Sequence, residues 1–192
     1  MNRKSLWIVV ILSGLFFINS HKLYADEMEV KFKDIARQIA NEFSKKASLA
    51  AREHPISSEE EERQGKLFYG WQDELRTLIK ANPKSIWADD AQYTLATLNA
   101  ADPKQEASEL EYLMKQYPNM HLEDWTREML TPIVPNPSIP FDQGVRIILC
   151  LDYKQLGDTV KLKYMCEESM KKYPDKAKVF EKLLNTPSSV KR

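Results

Sequence analysis

Two cysteines are the side chains of this sequence whose type and spacing could do covalent chemistry. Cys150 lies seven residues before Gly157, and Cys166 lies nine residues after it. If Gly157 forms the corner between two antiparallel helices, the thiols come to similar heights on facing helices. In an oxidising compartment such a pair can form a disulfide when its Cα atoms lie within about 7 Å. The alternative is two small apolar residues packed between the helices.

Candidates for acid–base or metal chemistry are few. Beyond residue 25 the histidines are His54 and His121, and no third ligand lies close to the two cysteines, so we predict no metal site. The sequence has no zinc-protease, nucleophile-elbow, phosphate-loop or haem-attachment motif. We therefore predict no catalytic residue and no cofactor.

A run of four glutamates at positions 59–62 is the densest local charge. One interpretation is a cation site beside His54. The favoured interpretation is the start of a helix, in which Ser57 or Ser58 caps the first turn and the acidic side chains oppose the helix dipole.

Apolar residues three and four positions apart predict helices along most of the chain. The clearest example is a hairpin with Gly157 at its corner, where a residue at positive φ ends one helix and Asp158 or Thr159 caps the next. Its two apolar faces consist of Val145, Ile148, Leu149, Leu151 and Leu156, then Val160, Leu162, Met165, Cys166 and Met170. With only five glycines in the chain and few strand signals, the predicted fold class is all-α.

The same plan occurs twice, at residues 86–119 and 143–175, and each copy ends in Tyr-Pro, at Tyr117-Pro118 and Tyr173-Pro174. The pattern resembles the tetratricopeptide repeat (TPR), a helix pair of about 34 residues. The Tyr-Pro endings and the Ala91–Tyr93 segment are similar to exported bacterial members. Examples are the periplasmic coordinator of the Tol–Pal cell-division system and the outer-membrane assembly lipoproteins. The resemblance implies antiparallel helix pairs stacked as a short right-handed solenoid that binds a protein or peptide partner.

This resemblance divides the chain into a leader and one helical-repeat domain. The predicted parts are a signal peptide at 1–25, a domain at 26–192, helix pairs at about 27–82, 86–118 and 141–174, a Pro-rich insertion at 119–140 and a capping helix at 175–185. Pro132, Pro135, Pro137 and Pro140 predict an extended connector within the insertion.

In tetratricopeptide arrays the first helix of each pair lines the concave, partner-binding side. The resemblance therefore implies a groove formed by Asp90, Tyr93, Thr97, Ile147, Leu151 and Lys154. The alternative is that Ile147 and Leu151 are buried against the 121–131 helix or the C-terminal helix.

The first 25 residues have the three-part plan of a secretory signal peptide. Arg3 and Lys4 precede an apolar stretch from Leu6 to Ile18, and Ala25 offers a small residue for cleavage. The apolar stretch is shorter than the ~20 residues that span a bilayer, so we predict no integral membrane span after cleavage. The predicted location is the periplasm of a Gram-negative-type bacterium, or secretion as the alternative.

The charge balance gives no support for binding to nucleic acid. The chain has 28 basic and 28 acidic residues, and the leader removes three bases and no acid. A slightly acidic mature chain does not favour nucleic acid. The sequence thus predicts an exported, non-enzymatic adaptor that binds a protein or peptide in a cell-envelope complex. The alternative is a small helical accessory subunit of an exported enzyme.

Overall fold

The computed structural model describes residues 27–48, 57–131 and 138–186, and its regular elements are all helices. The prediction of an all-α fold is therefore confirmed for these residues. The predicted signal peptide and Pro132, Pro135 and Pro137 of the predicted connector lie outside the described residues.

Eight α-helices and one 3₁₀ turn make up the described chain. They are α1 (27–48), α2 (Ser58–Ala81), α3 (Ala88–Thr97), α4 (Pro103–Gln116), α5 (Asp124–Met129), α6 (Phe141–Leu156), α7 (Thr159–Lys172), the 3₁₀ turn (Pro174–Lys176) and α8 (Ala177–Asn185). None of these helices is long and apolar enough to cross a membrane.

Local side-chain chemistry sets several helix ends. Ser57 caps α2, because its hydroxyl accepts a hydrogen bond from the backbone N–H of Glu60 at 3.3 Å. The glutamate run is thus the first turn of α2, as the favoured interpretation predicted. Gly157 ends α6 at φ 71°, a conformation that favours glycine, and Asp158 caps α7 through the N–H of Lys161.

Helices α1 and α2 form an antiparallel pair. The indole N–H of Trp71 donates to Gln38 at 3.1 Å, and Phe43 stacks on Phe68 at 5.9 Å, so positions later on α1 meet positions earlier on α2. With α3 they enclose an N-terminal core: Met28, Phe32, Ile35, Ala36, Ile39, Trp71, Leu75, Leu78, Ile79, Trp87, Ala88, Ala91, Leu95, Leu98 and Leu130.

The remaining helices enclose a second, C-terminal core. It contains Tyr93, Ala96, Ala107, Leu110, Leu113, Met120, Leu122, Phe141, Val145, Leu149, Cys150, Tyr153, Leu162, Met165, Cys166 and Phe180. Helix α4 packs on α3 and α6, α6 packs on α7, and α7 packs on α8. Successive helix hairpins therefore pack on one another in chain order.

Helix α3 lies between the two cores. Ala91 and Leu95 face the N-terminal core, whereas Tyr93 and Ala96 face the C-terminal core. All residues from Ala88 to Ala96 are buried, including two aspartates. A helix covered on every side must satisfy its polar groups internally, and α3 does so partly through the segment that follows α4.

Candidate functional site

The predicted groove is closed where it would cross α3. Asp90 and Tyr93 are both fully buried. The Asp90 carboxylate accepts the backbone N–H of Glu123 at 3.1 Å, and the Tyr93 ring meets Phe141 edge to face at 4.9 Å. The segment after α4 therefore covers this face of α3, and a partner on the protein surface would not contact Asp90 or Tyr93.

The other predicted groove residues have mixed exposure. Leu151 is 48% exposed, whereas Thr97, Ile147 and Lys154 are half-buried. Ile147 packs against the C-terminal core, in line with the burial alternative, and the Lys154 ammonium donates to the carbonyl of Leu183 at 2.9 Å. The structure thus leaves Leu151 as the exposed apolar side chain of the predicted set, and partner binding by the set stays a prediction.

A groove that the sequence analysis did not predict lies between α1 and α2. It has a volume of about 630 Å³ and is formed by Glu27, Lys31, Asp34, Ile35, Asp73, Glu74, Thr77, Leu78, Ala81 and Asn82. Ile35 and Leu78 are buried and form its apolar floor. Charged residues of the rim are exposed, so the groove opens to solvent.

The rim of this α1–α2 groove is acidic. Four carboxylates and a single ammonium belong to it, and Lys31 is paired with Glu27 at 2.7 Å. The hydrogen bond from Lys31 holds the pKa of Glu27 below its ordinary value. Asp73 and Glu74 lie on the opposite wall, where a weak contact of 3.5 Å links Asp73 to Arg76. An approaching cation would therefore be attracted by an excess of negative charge.

The sequence contains a signal for this groove. Glu27, Lys31 and Asp34 follow one another at one-turn spacing on α1, and Glu74, Thr77 and Ala81 do so on α2. Those stripes flank the buried apolar faces of α1 and α2. What the spacing does not show is that the two stripes meet across an open groove, since that depends on how far apart the helix axes lie.

A pair of buried aspartates holds the segment after α4. Asp89 accepts the backbone N–H of His121 at 3.0 Å, next to the bond between Asp90 and Glu123. Burial, followed by the charge of Asp89, raises the pKa of Asp90 to about 8. The pKa of His121 is raised, mainly by its hydrogen bond to Glu123. These contacts fix the insertion on α3, a structural role that accounts for two acidic residues inside the protein.

A second buried acidic pair joins α4 to α6. Glu106 and Asp152 are both buried, and Oδ2 of Asp152 has no hydrogen-bond partner among the described residues. Burial, then the charge and hydrogen bond of Glu106, raises the pKa of Asp152 to about 8, and burial raises that of Glu106. Two carboxyl groups this close hold one proton more easily than two charges. Their burial makes the stability of the α4–α6 interface depend on the protonation of the pair.

The two cysteines face each other in the C-terminal core. Their Sγ atoms lie 3.2 Å apart, and both side chains are fully buried. The contact between the thiols raises the pKa of Cys150 and lowers that of Cys166. The predicted helix corner thus brings the pair together, and the disulfide itself stays a prediction.

Within residues 27–48, 57–131 and 138–186 no three side chains of His, Cys, Asp or Glu are grouped to hold a metal ion. The chain matches no protein-family model, no curated protein and no solved structure.

Proposed function

We propose that this chain is an exported, non-enzymatic helical-repeat adaptor of the tetratricopeptide type. It binds a segment of a protein partner in a cell-envelope complex, in the periplasm of a Gram-negative-type bacterium or outside the cell. The observation that carries the proposal is the open α1–α2 groove, with its apolar floor and acidic rim.

The recurrence of one helix ending supports the repeat architecture. Helices α2, α4 and α7 are each followed by a C-capping residue that directly precedes a proline: Asn82, Tyr117 and Tyr173. The three residues have similar backbone angles, with φ of −133°, −124° and −127° and ψ of 53°, 70° and 69°. Proline disfavours a helical conformation in the residue before it, so the shared sequence has a shared structural effect.

The last two pairs agree further. Both α4 and α7 have 14 residues, and each follows an aspartate cap, Asp102 or Asp158. Each pair packs on the next, and α8 covers the last. This order of contacts supports the proposed short solenoid of stacked helix pairs with an insertion and a terminal capping helix.

The groove chemistry selects the kind of segment that binds. Apolar side chains of the partner would cover Ile35 and Leu78, whereas flanking lysines or arginines would face Asp73 and Glu74. Amphipathic peptides commonly bind helical proteins in a groove with an apolar floor. We therefore infer that the partner presents an apolar anchor flanked by basic residues.

Site-specific photocrosslinking in cells tests this proposal. A photoreactive residue at Thr77 lies in the groove, and the same replacement at Thr159, exposed at the start of α7, is the matched control. We expect one defined protein to crosslink at Thr77 and not at Thr159. The purified partner should then bind the purified chain at a single site. Absence of a crosslink specific to Thr77 contradicts the proposal.

Charge reversal on the rim separates groove binding from general electrostatics. Asp73→Lys changes the groove, whereas Glu62→Lys makes the same change in net charge elsewhere on α2. We expect Asp73→Lys to weaken partner binding up to about fivefold, since an exposed ion pair contributes at most about 1 kcal/mol. Equal effects of the two variants would mean that the groove is not the binding site.

A second candidate function is supported by a different surface. Val160 and Tyr164 lie one turn apart on α7 and are 79% and 64% exposed. Such an apolar stripe suits permanent packing in a larger assembly, as an accessory subunit of an exported enzyme would need. A photoreactive residue at Tyr164 would then capture an enzyme subunit in a one-to-one ratio, and Thr77 would give no product.

A further inference from the structure

We propose that Cys150 and Cys166 form a structural disulfide that joins α6 to α7 in the exported chain. The proposal rests on the export clause of the proposed function, because the bridge needs an oxidising compartment. It does not depend on what the α1–α2 groove binds.

The geometry brings the sulfurs almost to bonding distance. They lie 3.2 Å apart, and a disulfide has a length of about 2.05 Å, so closing the bond requires a shift of about 1 Å. Both residues lie in mid-helix on an antiparallel hairpin whose corner is fixed by Gly157. The hairpin therefore holds the two side chains in direct contact.

The surroundings favour the thiolate that starts the reaction. Arg146 and Lys154 lie one turn before and one turn after Cys150 on α6. The Arg146 charge favours ionisation of Cys150, and the Lys154 charge favours that of Cys166. The contact between the two sulfurs lowers the pKa of Cys166 and raises that of Cys150 in the folded chain. Either cysteine can attack first, and both orders give the same bridge.

The oxidant is a disulfide, carried by a thiol oxidoreductase or by oxidised glutathione. When Cys166 reacts first, its thiolate attacks one sulfur of that disulfide, which forms a mixed disulfide and releases one thiolate. Cys150 loses its proton and attacks the Cys166 sulfur, which closes the internal bridge and releases the second thiolate. The chain gives up two protons and two electrons, and the oxidant is reduced to two thiols.

Burial sets the time of the reaction. Both side chains are fully covered, and Phe180 of α8 belongs to the same core. The oxidant must therefore reach the pair while the hairpin is still incomplete, before α8 packs on α7. Once folded, the bridge is shielded from reductants in the same way.

Thiol trapping on the natural chain tests the bridge without any variant. Cells are quenched in acid, the chain is denatured, and free thiols are alkylated before mass measurement. We expect no alkylation without reductant, two alkylations after reduction, and an intact mass below that of the dithiol by two hydrogen atoms. Two alkylated cysteines in the unreduced sample would overturn the proposal.

A purified dithiol chain separates the geometry from export. Unfolded as the dithiol and then refolded with oxidised glutathione, it should convert to the bridged form. If the bridge forms in solution but both thiols are free in cells, the assumption that the chain is exported to an oxidising compartment is wrong and the proposal fails. If the bridge does not form in solution, the geometry of the pair does not allow a disulfide and the proposal fails for that reason. Crosslinks at Thr77 should persist in Cys150→Ala, so the outcome for the bridge is independent of the outcome for the adaptor function.

The melting temperature of the chain is a second test of the bridge. We expect the natural chain refolded with reductant to melt about 6–12 °C lower than the chain refolded without it, from the loop of about 15 residues that the bridge closes. The double variant Cys150→Ala, Cys166→Ala should melt at the same temperature in both conditions. An identical melting temperature for the natural chain with and without reductant would contradict a bridge.

Discussion

Replacing Asp152 with asparagine should leave the protein about as stable as the natural chain near pH 5 and make it more stable near pH 8. Burial, then Glu106, raises the pKa of Asp152 from 3.8 to about 8 in the folded chain. Between these values the folded chain keeps a proton that the unfolded chain has released. The stability present at low pH is therefore lost as the pH rises through this window.

The magnitude follows from the size of the shift. A rise of about four units corresponds to at most about 6 kcal/mol at 1.36 kcal/mol per unit. Buried sites in proteins behave as if their effective dielectric constant were about 20, so we expect a loss of about 2–3 kcal/mol for the natural chain. Asparagine has no charge to bury, and its amide can donate to Glu106. The variant should lose little of this stability.

Urea unfolding followed by circular dichroism at a series of pH values measures this difference. The exposed substitution Glu62→Gln on α2 is the control and should follow the natural chain. Asp90, whose pKa is also raised to about 8, is present in all three proteins, so its contribution cancels in the comparison. Parallel curves for the natural chain and Asp152→Asn would refute the raised pKa of Asp152.

Five further substitutions test local packing, backbone conformation and capping by chemical unfolding. Gly157→Ala should lower the free energy of unfolding by about 1 kcal/mol, because φ is 71° there; the added Cβ would meet no neighbour, so the cost comes from the backbone alone. Gly70→Ala inside α2 should raise the free energy of unfolding by about 0.5–1 kcal/mol. Equal effects of the two substitutions would contradict a left-handed corner at Gly157. Leu149→Ala should cost about 3 kcal/mol because the side chain is fully buried, and Leu151→Ala, two positions along α6, should cost much less. Asp102→Ala should cost about 1 kcal/mol by removing the cap of α4, and no change would mean that its bonds to the first turn do not stabilise the helix.

The helices themselves were predictable, because their signals are local. Ser57 and Asp158 cap helices through their own side chains, and Gly157 ends one by a conformation that glycine adopts freely. The hairpin corner also predicted that Cys150 and Cys166 would face each other. Each of these features depends on residues within one helix end or one helix hairpin.

The groove was less predictable, because exposure depends on distant segments. Asp90 and Tyr93 have the spacing of a groove-lining stripe, yet the segment at 120–123 and Phe141 cover them. Helix periodicity identifies which residues share a face. It does not identify what packs on that face from thirty or more residues away.

The amino-acid sequence alone therefore determined the helical class, the caps, the hairpin corner and the spacing that pairs the two cysteines, since short-range hydrogen bonding and backbone preference decide them. Tertiary structure decided that α3 is enclosed between two cores, that Glu106 and Asp152 share a buried site, and that an acidic groove opens between α1 and α2. The physical reason is that burial and electrostatic environment are properties of packed neighbours, and those neighbours come from helices far apart in the chain.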